Sequence, residues 1–153
     1  MQIIQLTERD DQFDEAVELY WKTWGEEGGK VFYEDAMIHS LQDPSGIPSF
    51  YIAIDERQAI IGTYALLRND LNSRQDLRPW LACLYVRVEN RGQQLGAKFL
   101  EHGLKEAAKR GYHSLYLTSD LEGYYEKYGW QQIGVAYGPS GDSIPLFENH
   151  TNQ

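Results

Sequence analysis

The sequence predicts a mixed α/β (α+β) fold, a central β-sheet of about seven strands flanked by about four helices. Three observations carry this. Residues 80–86, Trp80-Leu81-Ala82-Cys83-Leu84-Tyr85-Val86, form an almost wholly apolar run, as a strand covered on both faces requires. Residues 10–24 and 95–108 repeat apolar side chains at helical spacing. Around them lie short β-prone stretches punctuated by turn residues.

The elements follow in order. Ile3-Ile4-Gln5-Leu6 reads as a first strand. Asp10 or Asp11 is placed to cap a helix running to Trp24, with Phe13, Val17, Tyr20, Trp21 and Trp24 on one side. Gly25 and then Gly28-Gly29 end it. A second helix covers Phe32 to Leu41 and stops at Asp43-Pro44. Phe50 to Ile54 and Ala59 to Leu67 are strands of a hairpin turned by Asp55-Glu56-Arg57-Gln58. A polar stretch from Arg68 to Arg78 leads into the strand at 80–86. Leu95, Phe99, Leu100, Leu104, Ala107 and Ala108 then mark a helix face that Gly111 terminates. Leu115 to Thr118 is a strand, and Ser119 with Glu122 has the spacing of a capping box for a short helix. Trp130 to Tyr137 and Ile144 to Phe147 are the last two strands. The order is β-α-α-β-β-β-α-β-α-β-β, with a parallel, right-handed crossover from Trp80 to Thr118.

The chain of 153 residues fits one domain, 1–153. At that length a fold buries roughly two-thirds of its unfolded surface and needs no covalent staples. The single cysteine, Cys83, excludes an intrachain disulfide and fits a reducing compartment. No segment approaches the roughly 20 apolar residues of a membrane span. Met1-Gln2-Ile3-Ile4-Gln5 lacks the basic start and apolar run of a secretory signal, so the expectation is a cytoplasmic protein. The net charge of −9 argues against nucleic acid as a partner and suits a cationic small substrate such as an amine.

The informative segment joins the apolar strand to the long helix: Val86-Arg87-Val88-Glu89-Asn90-Arg91-Gly92-Gln93-Gln94-Leu95-Gly96-Ala97. The first N–H groups of a helix lack internal partners and carry the positive end of its dipole. Gly92 and Gly96 let that backbone approach an anion closely, and Arg91 adds charge, so the segment reads as a pyrophosphate cradle. A plain strand-to-helix turn with two convenient glycines has the same pattern. The dinucleotide G-x-G-x-x-G and the P-loop G-x-x-x-x-G-K-[ST] are both absent.

This segment resembles the acetyl-CoA-binding motif [QR]-x-x-G-x-[GA] of the GNAT acetyltransferase superfamily, with Arg91 first and Gly96 last. Tyr124-Tyr125-Glu126-Lys127-Tyr128-Gly129-Trp130 resembles the F-Y-x-x-x-G-F signature of the same family, in the right order downstream. The element order follows that family's topology too, so the resemblance covers nearly the whole chain and implies a GNAT fold. Gln94 departs from the usual middle glycine, and Val88 stands where a proline is common. Crowding by the Gln94 Cβ implies weaker cofactor affinity than is typical, while its amide offers an added hydrogen bond.

The resemblance implies acetyl-CoA as cofactor and transfer of acetyl to a primary amine by direct attack in a ternary complex. It places the pantetheine arm along the backbone of Leu84, Tyr85 and Val86, and the pyrophosphate on the amides of Arg91, Gly92, Gln93, Gln94, Leu95, Gly96 and Ala97. Ser119 and Tyr125 complete the cofactor set. An N–H near Leu84 is implied to steady the oxyanion. Tyr125 takes the position of the acid that protonates the departing thiolate, a role suited to a phenol that stays protonated at neutral pH; simple packing is the competing role. No carboxylate lies on the 80–86 strand, so Asp76, and then Glu34, are the candidate bases, each also readable as a solvated or capping residue. Glu26 and Glu27, with Tyr33 and Glu34, are the candidate substrate-binding residues by family topology, against a solvated loop and helix core.

Cys83 in mid-strand reads as core rather than a ping-pong nucleophile, because no histidine is near in sequence. His39, His102, His113 and His150 have no ligand spacing, so no metal is expected. Asn149-His150-Thr151 matches a glycosylation sequon, which matters only in a secreted protein. The leading expectation is a small-molecule N-acetyltransferase, monomer or homodimer, with no membrane partner. A protein or peptide N-acetyltransferase and a non-catalytic coenzyme-A-binding sensor are the alternatives.

Overall fold

The computed structural model describes residues 1–151. Strands are β1 (Gln2–Gln5), β2 (Ser49–Ile54), β3 (Ile60–Leu67), β4 (Trp80–Val86), β5 (Ser114–Thr118), β6 (Gln131–Tyr137) and β7 (Ser143–His150). Helices are α1 (Phe13–Trp24), α2 (Lys30–Ser40) and α3 (Leu95–Lys109), and a single 3-10 turn at Tyr125–Tyr128 stands where the fourth was expected. The strands form one mixed sheet in the order β1-β2-β3-β4-β5-β7-β6. β4 and β5 run parallel with Trp80 opposite Tyr116, while β1/β2, β5/β7 and β6/β7 are antiparallel. Two compact units divide the chain: Met1–Ala65 with Cys83–Phe99, and Leu66–Ala82 with the chain from Leu100 onward.

In the first unit β2 and β3 carry the core. All six residues of β2 are buried, as are seven of the eight in β3. The Tyr20 ring of α1 stands edge-on to Phe50 at 5.4 Å, and Tyr51 stacks on Tyr64 at 4.5 Å. Tyr64 in turn meets Phe99 at 5.4 Å. The Tyr20 hydroxyl donates between two main-chain carbonyls, Tyr64 at 2.6 Å and Tyr51 at 2.9 Å. That satisfies a group which would otherwise be costly to bury.

The apolar run of β4 was expected to be covered on both faces. Instead only Trp80 and Leu81 are buried, and Ala82 to Val86 are half-buried. Cys83 adopts φ +56°, a left-handed conformation that interrupts the pleat midway. The expected cap of α1 is also corrected. Asp10–Gln12 forms a 3-10 turn, the N-cap is Gln12, whose side chain donates to Gln58 O at 2.6 Å rather than capping the helix, and Asp11 pairs with Arg9 at 3.0 Å instead. Gly25 does end α1, in an extended conformation, because a Cβ there would lie 2.8 Å from the Trp21 carbonyl.

In the second unit β5 alternates, with Leu115 and Leu117 buried. They share the core with Leu100, Ala107, Trp130, Leu146 and Phe147. α3 closes with the two bonds of a Schellman motif: Tyr112 N–H donates to Ala107 O at 3.1 Å and Gly111 N–H to Ala108 O at 3.0 Å. Gly111 takes the left-handed conformation this motif needs, at φ +86°. The expected capping box fails. Ser119 Oγ accepts the Leu121 N–H at 3.1 Å, a local turn that competes with helix initiation. The 3-10 turn starts only after Tyr124, and Gly129 closes it at φ +89°.

Candidate active site

The first unit carries the strand-to-helix segment. A 3-10 turn over Val88–Asn90 follows β4, and Arg87 ties it to β3 by donating N–H to Ile61 O at 2.9 Å. Arg91 is exposed, and its Nε donates to Val86 O at 3.0 Å, which fixes the guanidinium beside the end of β4. Gly92 and Gln94 are both left-handed, at φ +83° and +62°. The Gln94 carbonyl accepts the Lys98 N–H at 3.1 Å, the first bond of the helix. The N–H groups of Leu95, Gly96 and Ala97 therefore lie in the first turn, where no helical carbonyl reaches them.

These residues fit a diphosphate. Left-handed residues alternating along a loop turn successive N–H groups toward one concavity. A Cβ on Gly92 would meet nothing within 4 Å, so that side of the loop is open. The helix dipole and Arg91 favour a negative group there. Gln94 is the cost: a side chain in the left-handed region is strained where glycine would not be. Upstream, Leu84, Tyr85 and Val86 of β4 are half-buried.

The same unit holds the candidate acceptor residues. Trp24 of α1 stands edge-on to Tyr85 of β4 at 6.1 Å. Tyr33 is half-buried, and burial, then Cys83 and Glu26, push its phenol up. Glu26 and Glu27 are exposed in the loop between α1 and α2, which is held by Trp21 Nε1 donating to Glu26 O at 2.8 Å. Glu34 is exposed on α2.

The second unit carries Tyr125. Its ring is 6% exposed, with ring centres 5.0 Å from Tyr124, 5.5 Å from Phe147 and 6.5 Å from Trp130. Burial pushes the phenol up, and the Ser119 hydroxyl offsets part of this. Asp76 is in this unit too. It is exposed and paired with Arg74, whose Nε and Nη2 donate to its two oxygens at 3.0 and 2.9 Å. That pairing holds the carboxyl below its usual range and weakens it as a base. Among the described residues, no group of three or more His, Cys, Asp or Glu side chains is arranged to hold a metal. No described helix is long and apolar enough to cross a membrane.

Two features went unread in the sequence. Ser119 accepts the Leu121 N–H instead of capping a helix, and nothing in a lone serine announces this. Gly62 lies in mid-β3, where a Cβ would come 2.7 Å from the Tyr85 carbonyl and 2.9 Å from the Phe99 ring. A glycine inside an otherwise apolar strand is the signal that pointed there.

The sequence profile of the acetyltransferase (GNAT) domain family matches residues 47–132, more than half of the chain. The chain belongs to the GNAT acetyltransferase family. It is accordingly an acyltransferase, an acetyl-CoA-dependent N-acetyltransferase by family, as its two motifs led us to expect. A comparison with curated proteins returns no match. Solved structures share the GNAT fold over the full chain. The aminoglycoside 6′-N-acetyltransferase from Enterococcus faecium superposes with a TM-score of 0.73 at 18% identity, covering 100% of this chain and 98% of that one. An aminoglycoside 6′-acetyltransferase type Ii gives 0.72 at 23% identity, covering 100% and 99%. An aminoglycoside 6′-N-acetyltransferase complexed with coenzyme A gives 0.72 at 17% identity, covering 100% and 98%. The seven-stranded mixed sheet of this GNAT protein is the fold these structures share.

Proposed function

We propose that this protein transfers acetyl from acetyl-CoA to a primary amine of a small molecule, by direct attack in a ternary complex. The observation that carries the reading is the Arg91–Ala97 turn, which opens α3 with two left-handed residues. Acetyl-CoA supplies an acetyl group already activated as a thioester. Amides of Gly92 to Ala97, with Arg91, hold its diphosphate, and the backbone of Leu84, Tyr85 and Val86 holds the arm. An N–H near Leu84 steadies negative charge at the reacting carbonyl. Tyr125 Oη keeps its proton through neutral pH, because burial raises it, and so has one to give to the leaving sulfur.

A cationic, small acceptor is favoured by two things. The chain has a net charge of −9, and Glu26, Glu27 and Glu34 are exposed around the half-buried Tyr33. The structures that cover the chain most fully act on aminoglycosides, which are small polyamines. Loss of the amine proton falls to water first, since Arg74 holds Asp76; Glu34 is the other carboxylate within the candidate set. In this reading residues 1–153 work as one cytoplasmic acetyltransferase domain, with no nucleic acid or membrane as partner.

The test is release of free coenzyme A thiol from acetyl-CoA against a panel of amines, paired with calorimetric titration of acetyl-CoA. Amine-dependent release by small amines supports the reading. Release with peptides alone moves the acceptor to proteins. Binding without release across the panel favours a sensor, and failure to bind acetyl-CoA removes the cradle.

A further inference from the structure

We propose that the end of α1 and the start of α2 form an aromatic wall that selects the acceptor: a primary amine carried on a flat apolar body rather than on a polyhydroxylated one. The inference rests on the transferase reading above and names the acceptor class for that same site. The wall lies within the first unit and begins at the strand assigned to the pantetheine arm. Tyr85 of β4 meets Trp24 at 6.1 Å with the ring planes at 86°. Gly25 follows, and a Cβ there would lie 2.9 Å from the Tyr33 ring, so this glycine lets α2 close on the end of α1. Tyr33 in turn meets Phe32 edge-on at 5.3 Å.

The outer end of the wall faces solvent. Phe32 is 69% exposed, its neighbour Val31 68% and Trp24 37%. Only Met37 and Ser40 of α2 are buried, so Val31 and Phe32 contribute little to the core. Adjoining apolar side chains left in water mark a surface that another molecule covers. Charge says which molecule. Between Trp24 and Ala36 the chain carries four exposed carboxylates, Glu26, Glu27, Glu34 and Asp35. The one lysine there, Lys30, lies 3.4 Å from Glu18. An ammonium is drawn by those carboxylates and by the faces of the rings. The body behind the ammonium must suit the rings. Hydroxyls set against Phe32 and Trp24 would leave water without gaining a new partner, whereas a flat apolar group buries its surface there.

The test uses the full chain with acetyl-CoA and two amines, 2-phenylethylamine and 2-methoxyethylamine. Release of coenzyme A thiol is expected with kcat/KM about tenfold or more higher for 2-phenylethylamine, as burial and stacking of one ring supply. Phe32→Ala is expected to raise KM for 2-phenylethylamine roughly tenfold with kcat little changed, because a ring remote from the reacting atoms contributes uniform binding. KM for 2-methoxyethylamine should stay near the wild-type value, and Phe32→Tyr should restore KM for 2-phenylethylamine. Equal kcat/KM for the two amines, or an unmoved KM in Phe32→Ala, overturns the inference and leaves the transferase reading standing. Calorimetric titration of the protein saturated with coenzyme A reads the same preference without turnover. If neither amine is acetylated, binding of 2-phenylethylamine that Phe32→Ala weakens roughly tenfold keeps the amine site and removes the transferase reading. Absence of that binding as well overturns the wall.

Discussion

The carbonyl oxygen of Tyr85 lies 2.7 Å from the place a Cβ on Gly62 would occupy. β3 and β4 approach this closely because residue 62 has no side chain, and the Phe99 ring of α3 closes the same space at 2.9 Å. Gly62→Ala must push either a backbone carbonyl or a buried ring. We expect a loss of about 1–3 kcal/mol, as overpacking of a tight interior costs. At this chain length that lowers Tm by about 2–4 °C per kcal/mol. Because the displaced carbonyl belongs to Tyr85, weaker acetyl-CoA binding should accompany the loss. A variant as stable as the wild type would show that the contact relaxes freely.

Gln94 holds a left-handed backbone at φ +62° directly before α3. Gln94→Gly removes strain of about 1–2 kcal/mol but returns about 0.5–1 kcal/mol through the freer unfolded chain. The net expectation is a small rise in Tm and tighter acetyl-CoA binding by calorimetry. Gln94→Val should lower Tm, since a β-branched residue tolerates this conformation least. Equal melting of both variants would refute the strain argument.

Asp76 is held by two hydrogen bonds from Arg74, and its carboxyl titrates below the usual range. It is therefore a poor proton acceptor. Asp76→Asn is expected to keep kcat within about threefold, where removal of a working general base costs about a hundredfold or more. Steady-state kinetics near neutral pH decide this, and a hundredfold fall would make Asp76 the base despite its partner.

Tyr20 gives the fold a pH dependence at the alkaline end. Burial, then Cys83, raise its phenol well above the ordinary value of 10.0. The folded chain thus holds this proton more tightly than the unfolded chain does. The stabilisation is complete below about pH 10 and declines as pH rises past it. Tyr125 is raised in the same direction. Tyr20→Phe should lose about 1–2 kcal/mol at pH 7, from the hydrogen bonding at Tyr51 O and Tyr64 O, and should lose less than the wild type between pH 9 and 11. Urea unfolding across that range reads both effects, and parallel curves for the two proteins would contradict the linkage.

Much of this was legible in the chain. Apolar runs and helical spacing placed every strand and the three helices within a few residues, because periodicity is set locally by what one face must bury. The turn from Arg91 into α3 was legible for the same reason: glycines, a basic residue and the start of a helix are adjacent in sequence. The caps were not. Asp11 had the chemistry of an N-cap, but Arg9 took its carboxylate; Ser119 had it too, but turned back to the Leu121 N–H. Both choices are competitions between nearby partners of similar strength, which residue type does not rank.

By itself, the sequence determined the order of the elements, the glycine-bearing turn into α3 and the family to which they belong. Those depend on neighbours along the chain. The tertiary structure decided which strand is wholly buried, since β2 is and β4, at the middle of the sheet, is not, and burial depends on what the fold brings to each face. It decided also that Gln94 and Cys83 take left-handed backbones, that Arg74 holds Asp76, and that Ser119 Oγ turns to the Leu121 N–H. Each of these is set by the space and the partners around a residue, and packing alone provides both.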